Sequence, residues 1–226
     1  MLSGGQDGEI WQAGILVELE PDWKTYWRVP GDTGIPPQFD WAGSKNNGAI
    51  EVGYPVPSRF QDAGGESIGY HGQVLFPLSV TPENPEELVQ LRLSMFFAVC
   101  NKICIPASAT AELLLNSSTL NPLLQIWQSR VPRVVAAGEA PVVAAARIET
   151  LQDKPMLVLS LTGAARDIFV ESATTAYFGK PQFEVAPGEA WLPIWNLGDA
   201  GKLRGVPLKV TLSTGESGIE QTLTIN

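Results

Sequence analysis

Cysteine and histidine are both scarce: the 226 residues hold only Cys100, Cys104 and His71 of these types. That excludes a disulfide-dense scaffold and leaves too few ligands for a four-coordinate zinc site. Long apolar runs are missing too, and none approaches the roughly 18–20 residues that a spanning helix needs. The opening segment MLSGGQDGEIWQ has no basic n-region and no apolar core, so it does not read as a signal peptide. It reads as a mature terminus behind an added Met, on an excised fragment, so a missing signal or membrane segment says nothing about the parent protein. Positive charge is short as well, with 15 Lys and Arg against 24 Asp and Glu and a net charge of −9. An acidic chain without a basic cluster repels phosphate backbones, so nucleic acid is not an expected partner. The G-x-S-x-G, H-E-x-x-H and phosphate-loop patterns do not occur. No cofactor and no metal are therefore expected, and a monomer is the expected state.

Turn residues and aromatic area are plentiful. The 22 Gly and 18 Pro point to many turns and few long helices. Seven Trp, eight Phe and four Tyr supply enough apolar area for a folded core. The segments 14–20, 73–80, 88–100 and 109–115 read as strands. Within 88–100, Leu91, Leu93, Met95, Phe97 and Val99 alternate at period two. The stretches VPGDTGIPP (29–37) and QDAGGES (61–67) read as loops. One helix is predicted near 121–131: Asn121 can cap it, Pro122 suits its first position, and Leu123, Leu124, Trp127 and Val131 follow at helical spacing.

Strand patterns resume from about 141, over 156–163, 167–172, 207–213 and 219–226. The predicted fold is all-β: two immunoglobulin-like β-sandwich domains joined by a short helix-containing segment. The expected boundaries are 1–117 for the domain with the cysteines, 118–139 for the helical linker and 140–226 for the second sandwich. PPQFDW (36–41) and KPQFEV (180–185) form a short internal echo, explained equally by chance or by duplication of a sandwich unit.

The segment AVCNKICIP (98–106) holds both cysteines, with three residues between them. As a structural staple the pair would do little, because a loop this short contributes only about 2 kcal/mol in the chain-entropy picture. A hairpin would place Cys100 and Cys104 opposite each other, within disulfide range. Such a bond beside a tight turn is expected to be strained and labile, and Lys102 adds a cation that favours thiolate. The spacing and surroundings differ from a thioredoxin site, since no helix and no βαβ frame follow. The pair reads as a redox-active dithiol of an oxidising compartment. One rival stays open: Cys100 and Cys104 with Met95 or His71 could hold Cu(I). Trp23, Tyr26, Trp27, Phe39 and Trp41 read as core packing rather than as a ligand patch. His71 reads as a loop histidine.

The segments 22–46, 67–80 and 96–115 resemble the N-terminal periplasmic domain of the DsbD-type protein-disulfide reductases, and in particular its ScsB (suppressor of copper sensitivity) branch. The resemblance runs over about residues 10–115. It implies an immunoglobulin-like domain whose cysteines, here Cys100 and Cys104, take electrons from a membrane-embedded domain of the parent protein. They would pass them to periplasmic thioredoxin-like or disulfide isomerase-like proteins. The family pair is spaced more widely than this one, so loop geometry and potential do not carry over. The resemblance also implies a cap loop with an aromatic over the disulfide; the matching segment is about 58–71, with Phe60 and Tyr70 as candidates. Cys104 is the expected partner-facing sulfur, and Cys100 the resolving one. The alternative is a periplasmic binding or interaction module, linked to copper tolerance, whose cysteines are a structural disulfide or a Cu(I) site.

Overall fold

A computed structural model describes residues 1–31, 34–62, 65–116, 119–136, 138–140 and 142–225. The chain divides into two compact units, 1–131 and 132–226. Both are built mostly from antiparallel strands with turn-rich connections, and the fold is the expected all-β, immunoglobulin-like one, with one short α-helix among the described residues.

The first unit runs through β1 (Leu2–Asp7), β2 (Ile10–Glu18), β3 (Lys24–Gly31), β4 (Gln38–Asp40) and β5 (Ala49–Val52). It continues with β6 (Ser58–Asp62), β7 (Gly65–His71), β8 (Gln73–Thr81), β9 (Val89–Cys100) and β10 (Cys104–Leu115). One sheet has the order β1-β2-β8-β5, and the other β10-β9-β3-β7-β6, with β4 also on β9. Phe76 of β8 meets Tyr70 of β7 and Phe39 of β4, each with ring centroids 5.6 Å apart. The two sheets therefore share a core between their faces. Each large side chain fully buried there contributes roughly 1.5–3 kcal/mol.

Of the two stretches read as loops, 61–67 is strand at each described residue, whereas 29–37 is strand only over 29–31 and without strand over 34–37. β3 runs to Gly31, and β6 and β7 extend to Asp62 and from Gly65. The cause is long-range: the ladder pairs Gln61 with Glu66 and Gly31 with Ser67, and such pairing overrides a local composition rich in Gly and Asp. Ala63 and Gly64, inside QDAGGES, lie outside the described residues.

The helix α1 spans Pro122–Gln128, and the Asn121 side chain accepts the Leu123 N–H at 3.0 Å. It ends three residues before the expected Val131. It belongs to the first unit and not to a linker, because Leu124 and Trp127 are buried and the helix packs on β8. The structure draws the division at 131/132, where the expected linker was 118–139.

The second unit holds β11 (Arg133–Val134), β12 (Val143–Leu151), β13 (Lys154–Leu161), β14 (Asp167–Ser172), β15 (Tyr177–Phe178), β16 (Glu189–Trp195), β17 (Pro207–Ser213) and β18 (Gly218–Thr224). Its sheets have the orders β11-β18-β17-β14 and β12-β13-β16-β15. Leu157, Leu159, Leu192 and Ile194 of one sheet form a single cluster with Ile168, Val170, Leu208 and Val210 of the other. That shared cluster makes this unit a sandwich as well.

Candidate redox site

β9 ends on Cys100 and β10 starts on Cys104, and the two residues face each other in the ladder. Their Cα atoms are 4.2 Å apart and their sulfurs are bonded. The Asn101 N–H donates to the Ile103 carbonyl across the turn at 3.2 Å. The sulfurs differ in access. Cys100 is 1% exposed, whereas Cys104 is exposed and stands between Ile103 at 69% and Ile105 at 41%.

The burial of β9 changes face near its end. Leu91, Leu93 and Met95 point into the sandwich core, but Ala98 and Cys100 are buried on the opposite, outer face. Side chains alternate along a strand, so residues an odd number apart lie on opposite faces. Met95 therefore cannot join Cys100 in a metal site. His71 shares the outer face, but β3 separates it from β9, with Lys24 paired to both His71 and Cys100. Among the described residues no three His, Cys, Asp or Glu side chains cluster as metal ligands.

What buries Cys100 is β3. Thr25 donates its hydroxyl to the Ala98 carbonyl at 2.9 Å and pins β3 to β9. Tyr26, 1% exposed, then forms a small outer-face cluster with Ala98 and Cys100. Its phenol oxygen is 2.7 Å from Cys100 Sγ and 3.2 Å from Cys104 Sγ. Disulfide sulfurs carry no hydrogen, so the phenol is the donor to both.

Lys24, also on this face, is 5% exposed. Its ammonium donates to Ser67 Oγ at 3.1 Å and sits 5.5 Å from the Phe60 ring centroid. Phe60 in turn meets His71 edge-to-face at 4.3 Å. Register thus places Phe60 on the face of Cys100, with Lys24 between them. Tyr70, the other cap candidate, lies on the inner face: it packs on Phe76, and its hydroxyl donates to the Pro55 carbonyl at 2.8 Å. Burial pushes its phenol well above the usual tyrosine range. Tyr70 is therefore a core residue and does not cover the sulfurs. Lys102, expected beside the thiols, is an exposed turn residue.

The aromatic residues grouped by sequence separate by face: Trp27 is buried in the core, Phe39 packs on Phe76, and Tyr26 goes to the sulfurs. Tyr26 and Lys24 are the site residues that sequence reasoning passed over. Period two in KTYW puts Lys24 and Tyr26 on one face and Thr25 and Trp27 on the other, but nothing local says that β3 lies beside Cys100.

The sequence model of the N-terminal domain of the thiol:disulfide interchange protein DsbD matches residues 5–116. Residues 5–116 are a DsbD-type N-terminal domain. The match covers the strands that build the site, β3 and β6 to β10, and both cysteines. The crystal structure of the N-terminal periplasmic domain of ScsB from Proteus mirabilis is similar to the whole chain, with a TM-score of 0.74 at 20% identity. The likeness covers 99% of this chain and 91% of that one, so the ScsB fragment shares the fold of both units. Among curated proteins, none matches this chain significantly. The DsbD-type domain thus carries a disulfide with one buried and one accessible sulfur, an arrangement suited to thiol-disulfide interchange.

Proposed function

We propose that this chain is a periplasmic thiol-disulfide exchange module and acts as a protein-disulfide reductase domain. It takes electrons from a membrane-embedded domain of its parent protein and gives them to periplasmic thioredoxin-like or disulfide isomerase-like proteins. The observation that carries this reading is the Cys100–Cys104 disulfide of a DsbD-type domain, with Cys104 open to a docked protein and Cys100 withdrawn behind it. The apolar rim of Ile103 and Ile105 supports docking of a protein surface there.

The exchange balances as follows. The reduced Cys104 thiolate attacks a partner disulfide, whose S–S bond breaks and releases one partner thiolate. The Cys100 thiolate then attacks Cys104 Sγ, the mixed disulfide breaks, and the second partner thiolate leaves. Two electrons pass to the partner, and two protons follow through solvent. Phe60 is the residue on this face suited to cover the resting disulfide.

Two measurements test the proposal. In glutathione buffers the pair should change state at moderate potential, whereas a structural disulfide resists reduction to below about −300 mV. The variant Cys100→Ser should trap a covalent complex with an oxidised thioredoxin-like partner, and Cys104→Ser should give far less. Equal trapping would reverse the assignment of the sulfurs. Trapping by neither variant would favour the binding-module reading, for which the opposed faces of Met95 and Cys100 give the copper form little support.

A further inference from the structure

The Tyr26 hydroxyl is buried against the sulfurs, yet the exchange written above does not use it. A phenylalanine would fill the same volume beside Ala98 and Cys100. What the tyrosine adds is one O–H, aimed at both sulfurs and nearer to Cys100, at 2.7 Å against 3.2 Å. Its position is fixed by the Thr25 bond to β9. Gly69 faces Tyr26 across the β3–β7 ladder, and a Cβ there would lie 1.9 Å from the Thr25 carbonyl oxygen.

We propose that Tyr26 is a catalytic residue that holds the charge on Cys100 Sγ as the disulfide opens, so that Cys100 is the sulfur that leaves and Cys104 the sulfur that is attacked. This inference rests on the exchange reading and deepens it. Opening a disulfide needs in-line approach to one sulfur and departure of the other, and a leaving thiol of lower pKa departs faster. The accessible sulfur is Cys104, so the departing one is Cys100. Water cannot solvate a thiolate at a site 1% exposed, and desolvation alone would make Cys100 a poor leaving group. A divalent disulfide sulfur is a weak acceptor, whereas a thiolate is a strong one. The Tyr26 bond therefore strengthens as charge develops, which lowers the barrier instead of merely stabilising the closed pair. The Lys24 ammonium shares the face but is turned to Ser67, which leaves the leaving-group role to the phenol.

The donor thiolate forms a bond to Cys104 Sγ while the Cys100–Cys104 bond breaks, and Cys100 departs with the electron pair. The donor's second thiol then attacks the donor sulfur in the mixed disulfide. This closes the donor disulfide and releases Cys104. Two electrons enter the pair. Closure of Cys100 onto Cys104, which releases the reduced partner, runs through the same kind of transition state in reverse, so Tyr26 speeds both directions.

The test uses the oxidised full chain and reduced glutathione as the probe. Tyr26→Phe should slow opening about tenfold, with the first glutathione still found on Cys104. In a Cys104→Ser background, Tyr26→Phe should move the thiolate titration of Cys100 upward by about one pH unit. Unchanged opening, an unmoved titration, or wild-type glutathione on Cys100 would each overturn the proposal. A purely structural role would lower thermal stability without moving that titration. Should Tyr26→Phe fail to fold, a fluorinated tyrosine at position 26 is a stronger O–H donor below the pH at which it ionises. It should speed opening, and an unchanged or slower rate would overturn the proposal. These readings need no partner protein. Their failure leaves the relay to stand or fall on the trapping experiment.

Discussion

The outer faces of two sheets, one from each unit, handle charge in opposite ways. In the second unit, the Arg147 fork meets both oxygens of Glu189 at 2.8 and 3.1 Å, and Trp191 Nε1 donates to Glu189 at 3.0 Å. The Arg147 guanidinium sits 5.8 Å from the Trp191 ring centroid, and Lys154 Nζ lies 5.7 Å from that of Trp195. These groups remain partly exposed, and beneath them the ladder buries an apolar residue, Val158, between Arg147 and Trp191. In the first unit the order is inverted: the ammonium of Lys24, the hydroxyl of Ser67, the phenol of Tyr26 and the sulfur of Cys100 are themselves buried. A polar side chain in water needs no special partner, whereas one withdrawn from water destabilises the fold unless it is hydrogen-bonded. The first arrangement is an ordinary solvated sheet face. The second is stable only because each polar group is met, and it is where reactive chemistry can be tuned.

The sharpest way to break this comparison is Gly69→Ala. The added Cβ meets backbone, the Thr25 carbonyl, and β3 must move. A loss above about 4 kcal/mol is expected, measured by denaturant unfolding, together with exposure of Cys100 to alkylation after reduction. Retained stability would mean that β3 is not held as tightly as the site requires.

Next in size is Leu157→Ala in the second core. Leu157 is fully buried, so the cavity should cost about 2–5 kcal/mol. The rate of glutathione opening should stay unchanged, because Tyr26 and Ala98, which meet the sulfurs, belong to the first unit. A changed rate would show that the second unit tunes the site.

A smaller effect separates the two cap candidates. Phe60→Ala should raise several-fold the reaction of the reduced thiols with a bulky alkylating agent. Tyr70→Phe should leave that rate alone and lower stability by about 1 kcal/mol, through the lost bond to the Pro55 carbonyl. Equal alkylation rates in Phe60→Ala and wild type would remove Phe60 as a cover.

The smallest effect tests the solvated face. The Arg147 hydrogen bonds hold the Glu189 carboxyl below the usual glutamate range, and raise Arg147 in turn. A depressed carboxyl pKa favours the charged form in the folded state. Its stabilisation is therefore fully present above the unfolded value of about 4.3, and is lost as pH falls through the lower folded value. Glu189→Gln should flatten this acid-side slope slightly, as read by thermal unfolding between pH 5 and pH 3. Disulfide opening, measured at neutral pH, should not change.

Much of this protein is written locally in its residues. Alternation over Leu91, Leu93 and Met95 determines β9, Asn121 and Pro122 determine the start of α1, and the spacing of Cys100 and Cys104 determines a hairpin pair. These depend on periods of two and 3.6 and on turns a few residues long, all of which lie within reach of neighbouring positions. The tertiary structure alone decided that β3 packs beside β9, and hence that Tyr26, 74 residues before Cys100, donates to its sulfur. It also placed Phe60 and Tyr70 on opposite faces, because strand register sets which face a side chain occupies, and a shift of one residue would exchange the two faces. Register follows from pairing between distant strands and from burial on both sides of a sheet, and neither is encoded in any short window of sequence.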